Sequence, residues 1–126
     1  MAPAAAAGAR EDATDAALRR CLAALANAST AGQTNCEVAA ERAYDRRMNA
    51  AYATLLRRLP AAAGVQLRRS QRAWIAYRDV EEQARQTIYA TRQGTMYVPM
   101  QSDDLTTLIG DRARMLERYV RVMVIE

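Results

Sequence analysis

The sequence predicts an all-α fold: a compact bundle of about four helices with one disulfide. Composition is the first observation behind this, since hydrophobic residues make up 51%, many of them alanine, with only 5 Gly and 3 Pro. That balance favours helix over sheet. The second is periodicity, because apolar residues recur on one face when placed at ~100° per position. The third is the cysteine pair, Cys21 and Cys36. Its spacing fits neither a C-x-x-C redox motif nor a four-ligand zinc site. A disulfide is the better use, and it points to an oxidising compartment. Two free thiols in a cytosolic protein are the alternative. Closing a loop of this size contributes about 3 kcal/mol in the chain-entropy model.

A chain of 126 residues fits one domain with a modest core. Residues 11–126 are assigned to that domain and 1–10 to a flexible leader. The leader, Met-Ala-Pro followed by alanines and Gly8, lacks the basic start and long apolar stretch of a signal peptide. A first helix is expected over about 12–27. It ends at a turn, Asn27-Ala-Ser-Thr-Ala-Gly-Gln, rich in helix-stopping residues. Thr34-Asn-Cys-Glu37 then reads as a capping box opening a second helix. That helix runs to about Leu59 and stops at Pro60. A third covers about 62–91 and ends near Gly94. Gly94–Gln101 is expected to be a loop containing Pro99, with Ser102 or Asp103 capping a fourth helix to about Val124.

On the second helix Tyr44, Met48, Ala51, Tyr52, Leu55 and Leu59 share a face. The arginine pairs 46/47 and 57/58 fall on the other side and are read first as a solvated face and second as a contact surface for an acidic partner. The third helix brings Leu67, Trp74 and Ile75 together, with Gln71 and Arg78 among them. On the fourth, Leu105, Ile109, Leu116, Val120 and Met123 flank Arg112. An arginine inside an apolar stripe is costly unless paired. Glu41 and Asp45 sit on or beside the apolar face of the second helix, and Glu81 and Glu82 border that of the third. Asn49 and Tyr52 are placed to complete the hydrogen bonding. The expectation is a semi-buried polar network of Glu41, Asp45, Asn49, Tyr52, Gln71, Trp74, Arg78, Asp79 and Arg112. It would join helices two, three and four and fix their register; a cleft receiving a partner's side chain is its alternative role.

The net charge is +4, and all 18 basic residues are arginine, as a genome-composition bias would produce. Fourteen acids are interspersed among them, with no basic stripe interleaved by aromatics, so nucleic acid is not the expected partner. The absence of histidine removes Ser-His-Asp and Cys-His catalysis and the commonest metal ligand. The acid pairs Glu81/Glu82 and Asp103/Asp104 diverge by ~100° on a helix, so neither converges on one substrate atom. No catalytic residue, metal or cofactor is assigned. No apolar run approaches the ~20 residues of a membrane span.

Asp45-x-x-Met48-Asn49-x-x-Tyr52-x-x-Leu55, then Ser70-Gln71-x-x-Trp74-x-x-Tyr77-Arg78-Asp79, resembles the N-terminal domain family of LprI-type lysozyme inhibitors. Gln-x-x-Trp-x-x-x-Arg-Asp is the most specific part. The family's late Leu-x-x-x-Arg element falls on Leu108 and Arg112, so the match spans roughly residues 21–118. The resemblance implies a helical, periplasmic or secreted bacterial protein, often a lipoprotein or signal-peptide product. Its partner would be lysozyme or a related glycan hydrolase. It also implies a departure: members commonly carry a second cysteine pair at the positions of Glu82 and Asp104. Without that bridge the segment carrying Met96, Tyr97, Val98 and Met100 would be less constrained. Those four side chains are a candidate partner-binding loop, or else a lid folded over the helices.

Net positive charge counts against steering towards basic lysozymes. A local acidic patch drawn from Glu37, Glu41, Asp45, Glu81 and Glu82 would offset it. The expected function is therefore an exported protein-binding domain of the inhibitor type. A non-inhibitory envelope or host-exposed surface protein is the alternative.

Overall fold

The computed structural model describes residues 10–125. The expected leader therefore lies, apart from Arg10, outside the described residues. Four α-helices and no strand occur among them: α1 (Ala13–Ala23), α2 (Thr30–Arg58), α3 (Ala61–Tyr89) and α4 (Tyr97–Val122).

Asp12 starts α1, its carboxylate accepting from the Thr14 and Asp15 amides at 2.8 and 3.1 Å. The helix is shorter than expected. Ala24 turns extended, and Leu25–Asn27 forms a separate 3-10 turn. Asn27 Nδ2 donates to the Cys21 carbonyl at 3.0 Å, giving that helix end a partner other than the next turn.

The N-cap of α2 is Ser29, which accepts from the Gly32 amide at 3.0 Å, and not Thr34. Thr34 lies one turn inside and donates back to the Thr30 carbonyl at 2.8 Å. The close turn dictates this earlier start. A Cβ on Gly32 would lie 2.6 Å from the Asn27 Cα, so only glycine lets the first turn of α2 pack on the 3-10 segment.

α2 stops before Pro60 as expected, and Pro60 also stands as the N-cap of α3. The fourth helix begins five residues before Ser102, at Tyr97. Pro99 is accommodated because it stands in the first turn, where its missing N–H has no intrahelical partner to lose.

The core is chiefly the α2–α4 interface: Tyr44, Met48, Ala51 and Leu55 against Ile109, Ala113 and Leu116. Small residues bring these helices close, and a Cβ on Gly110 would lie 3.0 Å from the Tyr44 ring. α3 rests on this pair through Leu67 and Trp74, and its fully buried residues are Gly64, Gln71 and Arg85. Ile75 and Met123, expected in the apolar stripes, are exposed. α1 runs back along α2 and is bonded to it by Cys21–Cys36.

Candidate functional site

Three polar groupings occupy different heights of the bundle. At the α1 start, Arg47 makes a two-pronged contact with Glu117 at 2.9 and 2.6 Å. It also donates to Asp12 at 2.8 Å and to the Thr14 hydroxyl at 3.0 Å. Arg114 donates to the Tyr44 hydroxyl at 2.9 Å and lies 3.5 Å from Asp15, while that hydroxyl also meets Asp15. Both guanidinium groups sit 5.1 Å from the Tyr44 ring centroid. The hydrogen bond from Arg47 holds the Asp12 carboxyl down at about 2. Arg47 is therefore half-buried, a correction to the reading of pair 46/47 as wholly solvated.

At mid-height, Gln71 Nε2 points to the Met48 sulfur at 3.6 Å, and Arg112 donates to Gln71 Oε1 at 3.0 Å. Arg112 also reaches the Ser70 hydroxyl at 3.3 Å. Arg78 and Arg112 lie over Trp74 at 5.6 and 5.9 Å, and Arg78 pairs with its neighbour Asp79 at 3.2 Å. These contacts link α2, α3 and α4. The other expected members stand apart: Asn49 donates to Asp45 at 3.3 Å on the exposed side of α2. Tyr52 packs against the core. Glu41 is raised above its ordinary value, first by burial and then by Asp45 and Glu82.

At the disulfide end lies an open cleft of about 380 Å³ between the start of α2, the end of α3 and the start of α4. Glu37 lies in its wall and is 4% exposed, and its Oε2 has no hydrogen-bond partner. Asp103 from α4 comes close enough to share a proton with it. Burial first, and then Asp103, push the Glu37 carboxyl up to about 7. Asp104 accepts from the Tyr89 hydroxyl at 2.5 Å. The capping-box reading had placed Glu37 at a helix start. Its position two turns inside α2 puts it against α4, a juxtaposition no local pattern encodes.

The segment expected as a loop is largely helical: Tyr97, Val98 and Met100 belong to the first turn of α4, and Met96 caps it. Met96, Val98 and Met100 are exposed, and Met100 borders the cleft with Pro99. Tyr97 meets Tyr89, ring centroids 6.3 Å apart. This contact and the Tyr89–Asp104 bond join α3 to α4 near where relatives are expected to carry a second bridge. The disulfide also flanks the cleft, because Leu22 and Glu37, each next to a cysteine in sequence, line it.

Among the described residues no group of three or more Cys, Asp or Glu side chains is placed to hold a metal ion. No described helix is long and apolar enough to cross a membrane.

Fold and site define a small helical domain, stapled by one disulfide, that presents an acidic cleft beside an exposed apolar rim. The chain belongs to the lysozyme inhibitor LprI family, whose model matches residues 21–116. It is also similar to the crystal structure of an uncharacterised protein from Burkholderia thailandensis, at 35% identity and a TM-score of 0.81. The alignment covers 90% of this chain and 58% of that one, so the domain spans little more than half of that protein's length. No curated protein matches the chain.

Proposed function

We propose that this domain is an exported inhibitor of lysozyme-like cell-wall hydrolases, acting by binding the enzyme and not by catalysis. The observation that carries the reading is the family match over residues 21–116, which includes the disulfide, the core helices and the whole acidic cleft. A periplasmic or secreted location accords with the Cys21–Cys36 bridge. The test is hydrolysis of peptidoglycan by lysozymes of several types in the presence of the purified domain. Slower hydrolysis and a stable complex are expected. Full activity of all the enzymes, with no complex at micromolar concentrations, contradicts the reading.

The formal net charge of +4 favours a second reading, because a basic domain is repelled by a basic lysozyme. On that reading the domain is an envelope or host-exposed surface protein that binds another partner and leaves lysozyme untouched. Capture of a defined envelope protein, together with unimpaired lysozyme, is its signature.

A further inference from the structure

We infer that the cleft at the disulfide end receives one arginine or lysine side chain presented by a protein partner. Glu37 is the reason to look for a ligand. A side chain 4% exposed, with one oxygen that no donor reaches and only the Asp103 carboxyl beside it, carries a desolvation penalty that a native fold ordinarily offsets. Glu37 is one of the residues that line the cleft.

The surrounding groups specify the chemistry. Asp103 faces Glu37, with which it shares a proton, and meets no other donor among the described residues, and Asp104 accepts only from Tyr89. The Tyr89 hydroxyl proton is already engaged there. Gln33 directs its amide N–H groups to the Leu22 and Asn27 carbonyls at 3.2 and 2.7 Å, which also fixes the cleft wall. What remains at the wall accepts hydrogen bonds, so the fitting ligand is a multiple donor with positive charge. Leu22, Pro99 and Met100 add an apolar margin suited to a methylene stem. A stem ending in a cation is the side chain of arginine or lysine. The carboxylates do not converge as a metal-ligand set among the described residues, which separates this site from one for a bare ion. Arg85 on α3 is a nearby cation that acts on Tyr89 through space, and none of the described ion pairs includes it.

The site deepens the inhibitor proposal, and rests on it only in naming lysozyme as the protein that supplies the cation. Its test is an NMR titration of the intact domain with Nα-acetyl-arginine amide, and separately with the uncharged citrulline analogue and with magnesium. The arginine probe is expected to shift the amide resonances of Glu37, Tyr89 and Asp103 saturably, with no matching response to citrulline. Asp103→Asn should weaken that binding at least fivefold, with Asp104→Asn as a second variant if the first loses its helical circular dichroism. Equal response to both organic probes, shifts confined to other surfaces, or unchanged binding by the variants overturns the proposal. Magnesium producing the same shifts at lower concentration overturns it in favour of a metal. Lysozyme inhibition by the same samples is scored independently. A domain that inhibits but does not bind the arginine probe keeps the inhibitor function and loses this site. A domain that binds the probe but inhibits no lysozyme keeps the site and loses that partner.

Discussion

The two ends of α1 carry acidic clusters that differ in one respect, whether the chain supplies the cations. At its start, Asp12, Asp15 and Glu117 meet Arg47 and Arg114 around the Tyr44 ring. At its end, Glu37, Asp103 and Asp104 face the cleft with no arginine paired to them. Similar residue types thus do different work. The paired cluster holds α1 to α2 and α4, and the unpaired one is, on our proposal, the place where a partner's cation binds.

The contrast is broken most severely by removing the covalent tie between the two ends. Cys21→Ser with Cys36→Ser should lower unfolding free energy by about 3 kcal/mol in urea titration. Because each cysteine adjoins a cleft residue, the same variant should also bind partner more weakly at temperatures where it stays folded. Next comes Arg47→Met, which strands Glu117 and leaves Asp12 with Arg114 at 3.7 Å and the amides it caps. Their partial exposure moderates the penalty to about 2 kcal/mol, read as a lower urea midpoint.

Asp12 of the first cluster and Glu37 of the second should also respond oppositely to pH. Asp12 is held below its ordinary 3.8, so its stabilisation is present above that value and is lost as pH falls towards about 2. Glu37 is raised above its ordinary 4.5, so between 4.5 and about 7 the folded chain holds a proton the unfolded chain has released. Stability from this group therefore falls as pH rises through that window. Glu37→Gln should be more stable than the parent by about 1 kcal/mol at pH 8, and level with it below pH 4.5. A gain that persists at low pH contradicts the assignment. Arg78→Met should have the smallest effect, under about 0.5 kcal/mol in the same titration, since Arg78 pairs only with adjacent Asp79 beside Trp74.

Much of this architecture was legible in the sequence because it follows local rules. The apolar face Tyr44–Leu59 and the stop at Pro60 follow helical periodicity and proline chemistry, whereas Arg112 meets Gln71 and Ser70 and none of the described carboxylates. What escaped depends on how helices dock. Asp12 and Arg47 are 35 residues apart, and nothing near Arg47 distinguishes it from its solvated neighbour Arg46. A Thr-x-x-Glu pattern imitates a helix start, whereas Ser29 and the Gly32 close approach begin the helix earlier and turn Glu37 inward. The candidate loop differs similarly: the stretch expected as a loop around Pro99 forms the first turn of α4.

The central claim is that partner binding belongs to the unpaired acids and not to the arginine groupings. Its most direct measurement is the affinity of the domain for lysozyme at pH 8, with Asp103→Asn and Arg78→Met compared against the parent. The account predicts at least tenfold weaker binding for Asp103→Asn, about 1.4 kcal/mol, and a change within twofold for Arg78→Met. Undiminished binding by Asp103→Asn, or a larger loss from Arg78→Met, would contradict it.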